Sequence, residues 1–359
     1  MPSSPSRPSC HVIRTVDAHA AGGPLRLIVE GFPSPHGRTM VEKRDWLTRH
    51  ADRWRRALLF EPRGHTDMCG AILTEPVSPG SHAGLLFMRG DGYCTMSGHG
   101  IIAVTTIALE RGLIGLPSAG GDGASVIYDT PAGVIRARAR FRAGRAGRAG
   151  RAGGAGGAGG AGVERVAFVN VPSFVLHGGL RVAIGQRKVL ADVAFGGAFY
   201  AIVDSEAVGL PIDAAHLPEL RRAGIAISRA IEAVQTIAHP VEAGLRGLAG
   251  TIFTAPPSDE RSALRNVAIF TDASAERSPG GTGTAAVMAV VDAMGLIGSD
   301  TPFVHEGLIG TRFTGRIVAR TTVGEYPAIV PEIEGAAWIT GEHTFLIDEN
   351  DPLKEGFRI

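Results

Sequence analysis

The sequence predicts an α/β protein made of two similar domains, each a sheet around a central helix. The chain has 359 residues, which exceeds the roughly 100–200 residues of one typical domain, so we expect two. Residues 99–113 and 283–297 have helical length and are apolar on nearly every side, as expected of helices enclosed by sheet. Segments typical of strands outnumber those typical of helices, so sheet should dominate the fold.

The predicted strands are rich in β-branched and aromatic residues, or alternate between apolar and polar residues. They are residues 12–19, 25–30, 83–88, 134–141, 163–175, 192–204, 266–271 and 313–323. Two further helices are predicted at residues 41–60 and 218–234. Residues 142–162 repeat Arg, Gly and Ala without a large apolar side chain. Because such a segment cannot repay its ordering entropy, we predict a flexible hairpin tip without a function of its own.

The composition excludes several classes of function. Lys and Arg number 36 against 35 Asp and Glu, so a nucleic-acid partner is not expected. The three cysteines, Cys10, Cys69 and Cys94, contain no CxxC pair, which argues against a disulfide framework and a structural metal site. With no signal-peptide pattern and no run of 18 apolar residues, we expect a cytoplasmic protein without a membrane partner. Residues 1–10 are expected to be disordered.

Both apolar helices begin with a turn punctuated by glycine, at residues 95–100 and 278–284. A helix start carries a partial positive charge and unpaired N–H groups, and glycine lets a ligand approach them closely. Donors aimed at a carboxylate stabilise the negative charge that develops when the neighbouring α-proton is removed. The pair therefore predicts a site for a small carboxylic acid between the domains. The alternative is that each turn only caps a buried helix.

The residues at these two turns resemble known motifs. Ser97, Gly98, His99 and Gly100 resemble the Met-Cys-Gly-His-Gly motif of the proline racemase family, and residues 277–284 resemble its Arg-Ser-Pro-Cys-Gly-Thr-Gly-Thr motif. Further matches follow in order along nearly the whole chain, except the first ten or so residues and the insert. They are residues 17–19, 61–65, 130–133, 170–173, 196–200, 309–311 and 351–352.

The resemblance implies a fold similar to that of diaminopimelate epimerase. Such a fold has two α/β domains, each a curved mixed sheet around a central helix, with the site in the cleft between them. Its chain crosses to the second domain and returns at the end, so we expect residues 11–187 and 340–359 to form domain I and residues 188–339 domain II. The resemblance also implies chemistry without a cofactor at the α-carbon of a proline-type imino acid.

Two departures from the family pattern decide the expected reaction. Members that invert the α-carbon place one cysteine on each face, where this chain has Ser97 and Gly280. Inversion needs a group on both faces, whereas dehydration of trans-3-hydroxy-L-proline needs one, because the α-hydrogen and the 3-hydroxyl share a ring face. The trans-3-hydroxy-L-proline dehydratases of the superfamily resemble this pattern and have a Gly-Tyr-x-Thr-Met stretch like residues 92–96. We therefore predict a dehydratase that forms pyrroline-2-carboxylate.

Two other functions remain open. One is a 4-hydroxyproline 2-epimerase or proline racemase that uses water on the face of Gly280. The other is a catalytically degenerate imino-acid binding protein. In each case the expected binding partner is a small imino acid. For the oligomeric state, a homodimer is the alternative to a monomer.

Ser97 is the expected base, and His99 or His65 would lower its pKa or relay its proton. The alternative is that Ser97 is only the helix N-cap and His99 only a buried histidine. Glu276 stands where the family has an Asp that receives the ring nitrogen, and Asp272 is a second carboxylate nearby whose expected role is to form a turn. His99 is also expected to bind the carboxylate or a ring hydroxyl of the substrate. The other residues expected to contact substrate are Gly98, Gly100, Gly280, Gly281, Thr282, His65 and Asp272.

Two small residues complete the comparison with the family. Gly23 occupies a position at which the family usually has Glu, so a polar contact is expected to be missing there. Cys94 is expected to be a buried small apolar residue and not a displaced nucleophile. Cys69 and Cys10 are assigned no role.

Overall fold

The computed structural model describes residues 10–115, 123–142 and 162–358. Most of the predicted flexible insert and nearly all of the predicted disordered N-terminus lie outside these ranges. The described residues form seventeen strands and six helices, so the predicted α/β fold class with dominant sheet is confirmed. No helix within the described ranges is long and apolar enough to cross a membrane.

The strands of the first half precede residue 170. They are β1 (Cys10–Ala20), β2 (Gly23–Glu30), β3 (Cys69–Thr74), β4 (Ala83–Arg89), β5 (Gly92–Cys94), β6 (Gly123–Thr130), β7 (Gly133–Phe141) and β8 (Val163–Val169). The later strands are β9 (Ser173–Ile184), β10 (Arg187–Phe195), β11 (Phe199–Asp204), β12 (Leu248–Ala255), β13 (Leu264–Phe270), β14 (Phe303–Glu306), β15 (Arg312–Val323), β16 (Tyr326–Gly335) and β17 (Ala337–Asp348). The helices are α1 (Met40–His50), α2 (Asp52–Leu59), α3 (Gly98–Glu110), α4 (Ser205–Val208), α5 (Leu217–Glu232) and α6 (Gly281–Ala293).

The two halves of the chain repeat one pairing pattern. From β1 through β2, β3, β4, β6 and β7 to β8, successive neighbours pair antiparallel, parallel, antiparallel, parallel, antiparallel and antiparallel. The same series runs from β10 to β16 in chain order. Parallel neighbours require a crossover, and α3 and α6 occupy the corresponding crossover in each half. The two halves therefore have the same topology.

Each central helix is enclosed by strands of its own half. Helix α3 packs against β1, β2, β7, β8 and β17, and α6 packs against β9, β10, β15 and β16. Every α3 residue from Gly98 to Ala108 and every α6 residue from Gly281 to Val290 is buried. Complete burial of an Ile or Val side chain stabilises the fold by about 1.5–3 kcal/mol. This explains why both helices are apolar all round.

The last strand returns to the first half. Strand β17 pairs antiparallel with β1 from Cys10 opposite Asp348 to Ala20 opposite Ala337. Strand β16 pairs with both β8 and β9, so hydrogen bonding is continuous between the halves. The residue boundaries given above for the two domains stay a prediction.

Several predicted elements differ from the structure in their extent. Predicted strands 163–175 and 192–204 are each divided into two by a turn, and Gly197 enters the second turn with a φ of +102°. Predicted helix 41–60 is interrupted at Ala51, whose φ of −131° is not helical. The two strand predictions followed the β-branched and aromatic residues on either side, although Pro172 and the pair Gly196 and Gly197 are turn-forming residues.

The predicted hairpin around the insert is present at its base. Strands β7 and β8 pair antiparallel, and the Arg142 N–H donates to the Gly162 carbonyl at 2.9 Å. Residues 143–161 themselves lie outside the described residues.

Candidate active site

The structure brings the starts of the two central helices into contact. A Cβ atom added at Gly98 would lie 2.3 Å from the Cα of Gly281, and one added at Gly281 would lie 2.5 Å from the Cα of Gly98. Such distances are far below van der Waals contact, so no side chain fits at either position. The backbones of α3 and α6 therefore approach each other directly at their N-terminal ends.

A small closed cavity lies at this junction. Its volume is about 20 Å³, which is room for about one water molecule. Its lining residues come from both helix starts and from the strands beside them. They are Arg89, Cys94, Met96, Ser97, Gly98, His99, Tyr200, Ala268, Phe270, Glu276, Gly280, Gly281, Thr282 and Gly283. The imino acid expected from the resemblance is larger than this cavity, so binding it would require the lining to rearrange.

Ser97 is both the N-cap of α3 and the only hydroxyl side chain of the residues 95–100 turn that lines the cavity. Its Oγ accepts a hydrogen bond from the Gly100 N–H at 3.3 Å and lies 3.4 Å from His99 Nδ1. The Cys69 thiol donates to the same oxygen at 3.9 Å. An N–H donor, an imidazole and a helix N-terminus all favour negative charge on this oxygen.

His99 and Glu276 form a buried ion pair across the junction. His99 Nδ1 lies 2.8 Å from Glu276 Oε2, and the two side chains are 8% and 5% exposed. Burial alone would lower the pKa of His99, but the Glu276 carboxylate outweighs it and holds this pKa well above the usual value. Burial would likewise raise the pKa of Glu276, and the charge and hydrogen bond of His99 lower it instead. The Glu276 carboxylate therefore favours the imidazolium form of His99.

The position opposite Ser97 offers no side chain. Gly280 is the N-cap of α6, with φ of +72° and ψ of +125°. A Cβ atom added there would have Glu276 Cγ at 3.6 Å and Gly283 N at 3.9 Å as its nearest neighbours. Position 280 therefore has space for a small side chain, although its positive φ would strain any residue other than glycine.

Glu276 also fills the space above Gly23. A Cβ atom at Gly23 would lie 2.7 Å from Glu276 Oε1 and 3.2 Å from the His99 ring. Ser278 holds that same oxygen, because its backbone N–H and its hydroxyl donate to Oε1 at 3.2 and 2.8 Å. Glu276 Oε1 therefore occupies the space that a side chain at position 23 would take.

Comparison with known proteins identifies the family of this chain. The family model described as proline racemase matches residues 15–358. The chain belongs to the proline racemase family. The family predicted from the two motifs is thereby confirmed.

Two curated members of the proline racemase family illustrate its range. This chain is 41% identical over 346 residues to a trans-3-hydroxy-L-proline dehydratase of Bacillus thuringiensis, covering 96% of this chain and 98% of that protein. It is 40% identical over 347 residues to a 4-hydroxyproline 2-epimerase of Streptosporangium roseum, with the same coverage. A solved hydroxyproline epimerase from Agrobacterium vitis, with bound trans-4-hydroxy-L-proline, is 27% identical with a TM-score of 0.85 and covers 97% of this chain and 96% of its own.

The structure places most of the predicted site residues of this family member together. Ser97, His99, Glu276 and the glycines at 98, 280 and 281 line the cavity with Thr282. Gly100 is not part of the lining, and its N–H is used by Ser97.

Two predicted residues lie elsewhere. His65 lines a neighbouring open cleft with Asp67, Arg221 and Arg277. Burial and the charge of Arg277 lower its pKa, so it is neutral at pH 7. Asp272 accepts hydrogen bonds from the backbone N–H and hydroxyl of Ser274, which is the turn-forming role expected of it.

Several cavity neighbours were not predicted as site residues, among them Arg89, Tyr200 and Cys69. Arg89 and Tyr200 line the cavity, and Cys69 touches Ser97. Two signals were available. Arg89 is a lone charge that ends the apolar run of β4 just before the glycine-rich turn, and Tyr200 ends the family match at residues 196–200. Among the described residues, no group of three His, Cys, Asp or Glu side chains is placed to hold a metal ion.

Proposed function

We propose that this chain removes the α-proton of a proline-type imino acid and dehydrates trans-3-hydroxy-L-proline to pyrroline-2-carboxylate. The observation that carries the proposal is the asymmetry of the paired helix starts, where Ser97 faces the cavity on one side and Gly280 on the other. One positioned hydroxyl suits an elimination on a single ring face and lacks the second group that inversion requires. The names of relatives at about 40% identity support this choice.

The substrate carboxylate would be held by backbone N–H groups of both helices. The first intrahelical hydrogen bonds run from the Ile101 N–H to the Ser97 carbonyl and from the Thr284 N–H to the Gly280 carbonyl. The N–H groups that precede them, among them those of Gly98 and Gly281, are left for a ligand. Removing the α-proton moves charge onto this carboxylate, so these donors stabilise the transition state more than the ground state.

Glu276 is the proposed acceptor for the ring nitrogen of the substrate. Its carboxylate has about four lone-pair positions, of which His99 and Ser278 use some. As an imidazolium, His99 cannot receive the proton of Ser97. Its role in this proposal is to stabilise the Ser97 oxygen as an alkoxide through the 3.4 Å contact, and to orient Glu276.

The proton would be taken and returned by the same group. The oxygen of Ser97 receives the proton from Cα while the Cα–C3 double bond forms and the C3–O bond breaks. The departing hydroxyl takes that proton from Ser97 and leaves as water, so Ser97 is restored without any other reactant. The enamine product then tautomerises to pyrroline-2-carboxylate.

Incubation of the purified protein with four imino acids in deuterated water tests the proposal. The panel is trans-3-hydroxy-L-proline, both 4-hydroxyproline epimers and L-proline, followed by NMR. We expect pyrroline-2-carboxylate only from the first. Deuterium at the α-carbon with inversion would instead establish an epimerase or racemase, and binding without turnover would establish an imino-acid binding protein.

A further inference from the structure

Arg89 is a buried cation on the wall of the reaction cavity. It is the last residue of β4, and its side chain is 15% exposed. Its guanidinium carbon lies 3.9 Å from the ring centroid of Phe270, another lining residue. Nη2 lies 3.2 Å from an oxygen of Asp91. The stacking and the ion pair together hold the guanidinium in place, so it is a positioned group and not a mobile surface charge.

The Arg89 guanidinium has hydrogen-bonding capacity that the protein does not use. Its Nε is inaccessible to solvent and has no hydrogen-bond partner among the described residues. Leaving a buried donor of a charged group unpaired is costly. A guanidinium that is held in place beside a cavity and has an unpaired donor is typical of a group that binds a ligand.

The polar groups of the proposed substrate indicate which one Arg89 receives. Trans-3-hydroxy-L-proline has a carboxylate, a ring nitrogen and a 3-hydroxyl. The helix-start N–H groups are assigned to the first and Glu276 to the second. Tyr200 already hydrogen-bonds to Thr282 Oγ1 at 2.9 Å, and burial raises the pKa of Cys94 to about 12, which leaves it a neutral, weak donor. Two charged donors of the lining have an unpaired ring or guanidinium nitrogen, His99 at Nε2 and Arg89 at Nε. His99 is already assigned to Ser97 and Glu276, so Arg89 is the charged donor that has no role yet.

We propose that Arg89 binds the ring hydroxyl of the substrate and thereby selects 3-hydroxylated imino acids over unsubstituted ones. The inference rests on the proposed dehydratase function. During elimination, negative charge develops on the departing oxygen as the C3–O bond breaks, and the guanidinium stabilises it by hydrogen bonding. Arginine remains protonated throughout. The proton that turns this oxygen into water comes from Ser97, so Arg89 is a specificity-determining donor and not the acid.

The test compares Arg89→Met with Arg89→Lys and a matched control, Arg44→Met. Arg44 is similarly shielded, with 18% exposure, and pairs with Asp45 at 2.9 Å. It lines the neighbouring pocket that Arg89 also borders, but not the reaction cavity. A general change in local charge would therefore affect both variants, whereas loss of a contact to the ring hydroxyl would affect only Arg89.

Two readouts separate the outcomes. First, kcat/KM for dehydration of trans-3-hydroxy-L-proline should fall about 10²–10³-fold in Arg89→Met, fall less in Arg89→Lys, and stay within about threefold of wild type in Arg44→Met. Second, calorimetry in a Ser97→Ala background should show tighter binding of trans-3-hydroxy-L-proline than of L-proline. The additional Arg89→Met change should weaken the hydroxylated ligand about 10–100-fold and leave L-proline unchanged.

If Arg89→Met weakens the binding of both ligands equally, Arg89 acts on the carboxylate or on the fold, and the proposal is overturned. If it weakens the binding of neither ligand, Arg89 contacts no part of the substrate, and the proposal is likewise overturned. The proposed function fails separately. If wild type forms no pyrroline but Arg89→Met still removes the preference for the hydroxylated ligand, the dehydratase is wrong and the role of Arg89 stands. If pyrroline forms and the preference persists in Arg89→Met, only the role of Arg89 is wrong.

Discussion

Replacing Ser97 by Ala separates its two roles, because the same oxygen caps α3 and is the proposed base. Losing the hydrogen bond from the Gly100 N–H at 3.3 Å removes an N-cap, which costs about 1 kcal/mol of stability. Losing a general base costs about 10²–10⁴-fold in rate, which equals about 3–5 kcal/mol in activation free energy. The two effects therefore differ enough to be measured separately.

The structure offers a matched control for the capping role. Thr39 is the N-cap of α1, and its Oγ1 accepts from the Glu42 N–H at 3.1 Å. Thr39→Ala should lose a similar capping energy, since the two hydrogen bonds have the same form. Because Thr39 is not among the cavity residues, its variant should retain full turnover.

Urea unfolding and NMR of pyrroline-2-carboxylate formation are the two assays. We expect similar small losses of stability in both variants, and loss of turnover only in Ser97→Ala. Ser97→Cys should recover activity, because a thiol ionises more readily than an alcohol at the same position. Full turnover in Ser97→Ala would refute the assignment of Ser97 as base, and the residue would then be a cap alone.

Three other variants test the remaining features of the site. Glu276→Gln removes the carboxylate that raises the pKa of His99. A raised folded-state pKa stabilises the protein fully below the unfolded value of about 6.5, and this stabilisation is lost as the pH rises through the folded value. The stability of the wild type against urea should therefore decrease as the pH rises above about 6.5, and that of the variant should not. Parallel pH profiles of the two proteins would contradict the ion pair. Gly280→Cys should introduce α-deuteration with inversion, measured by chiral chromatography in deuterated water. The φ of +72° at this position should lower the stability of the variant by about 1–3 kcal/mol. A folded variant that shows no inversion would indicate that the second face needs more than an acid. Gly98→Ala should abolish turnover and lower stability by about 1–3 kcal/mol, because its Cβ would lie 2.3 Å from Gly281 Cα; an unaltered unfolding curve would show that the helix starts do not touch.

The parts of the fold that were predicted correctly rest on local patterns. Helices α3 and α6 could be identified because enclosure by sheet demands an apolar residue at almost every position. The division of predicted strand 192–204 at Gly197 was missed because both resulting strands remain apolar across the turn. Strands such as β12 and β16 went unpredicted, since their stability comes from partners far away in the chain.

The sequence by itself determined the fold class and the family, because these depend on residue identity and spacing along the chain. Only the tertiary structure decided that Glu276 occupies the space above Gly23, that it pairs with His99, and that Arg89 borders the cavity. Contacts of this kind join residues from different strands and helices. Their distances follow from how the sheets pack around the two central helices, which no local pattern of residues records.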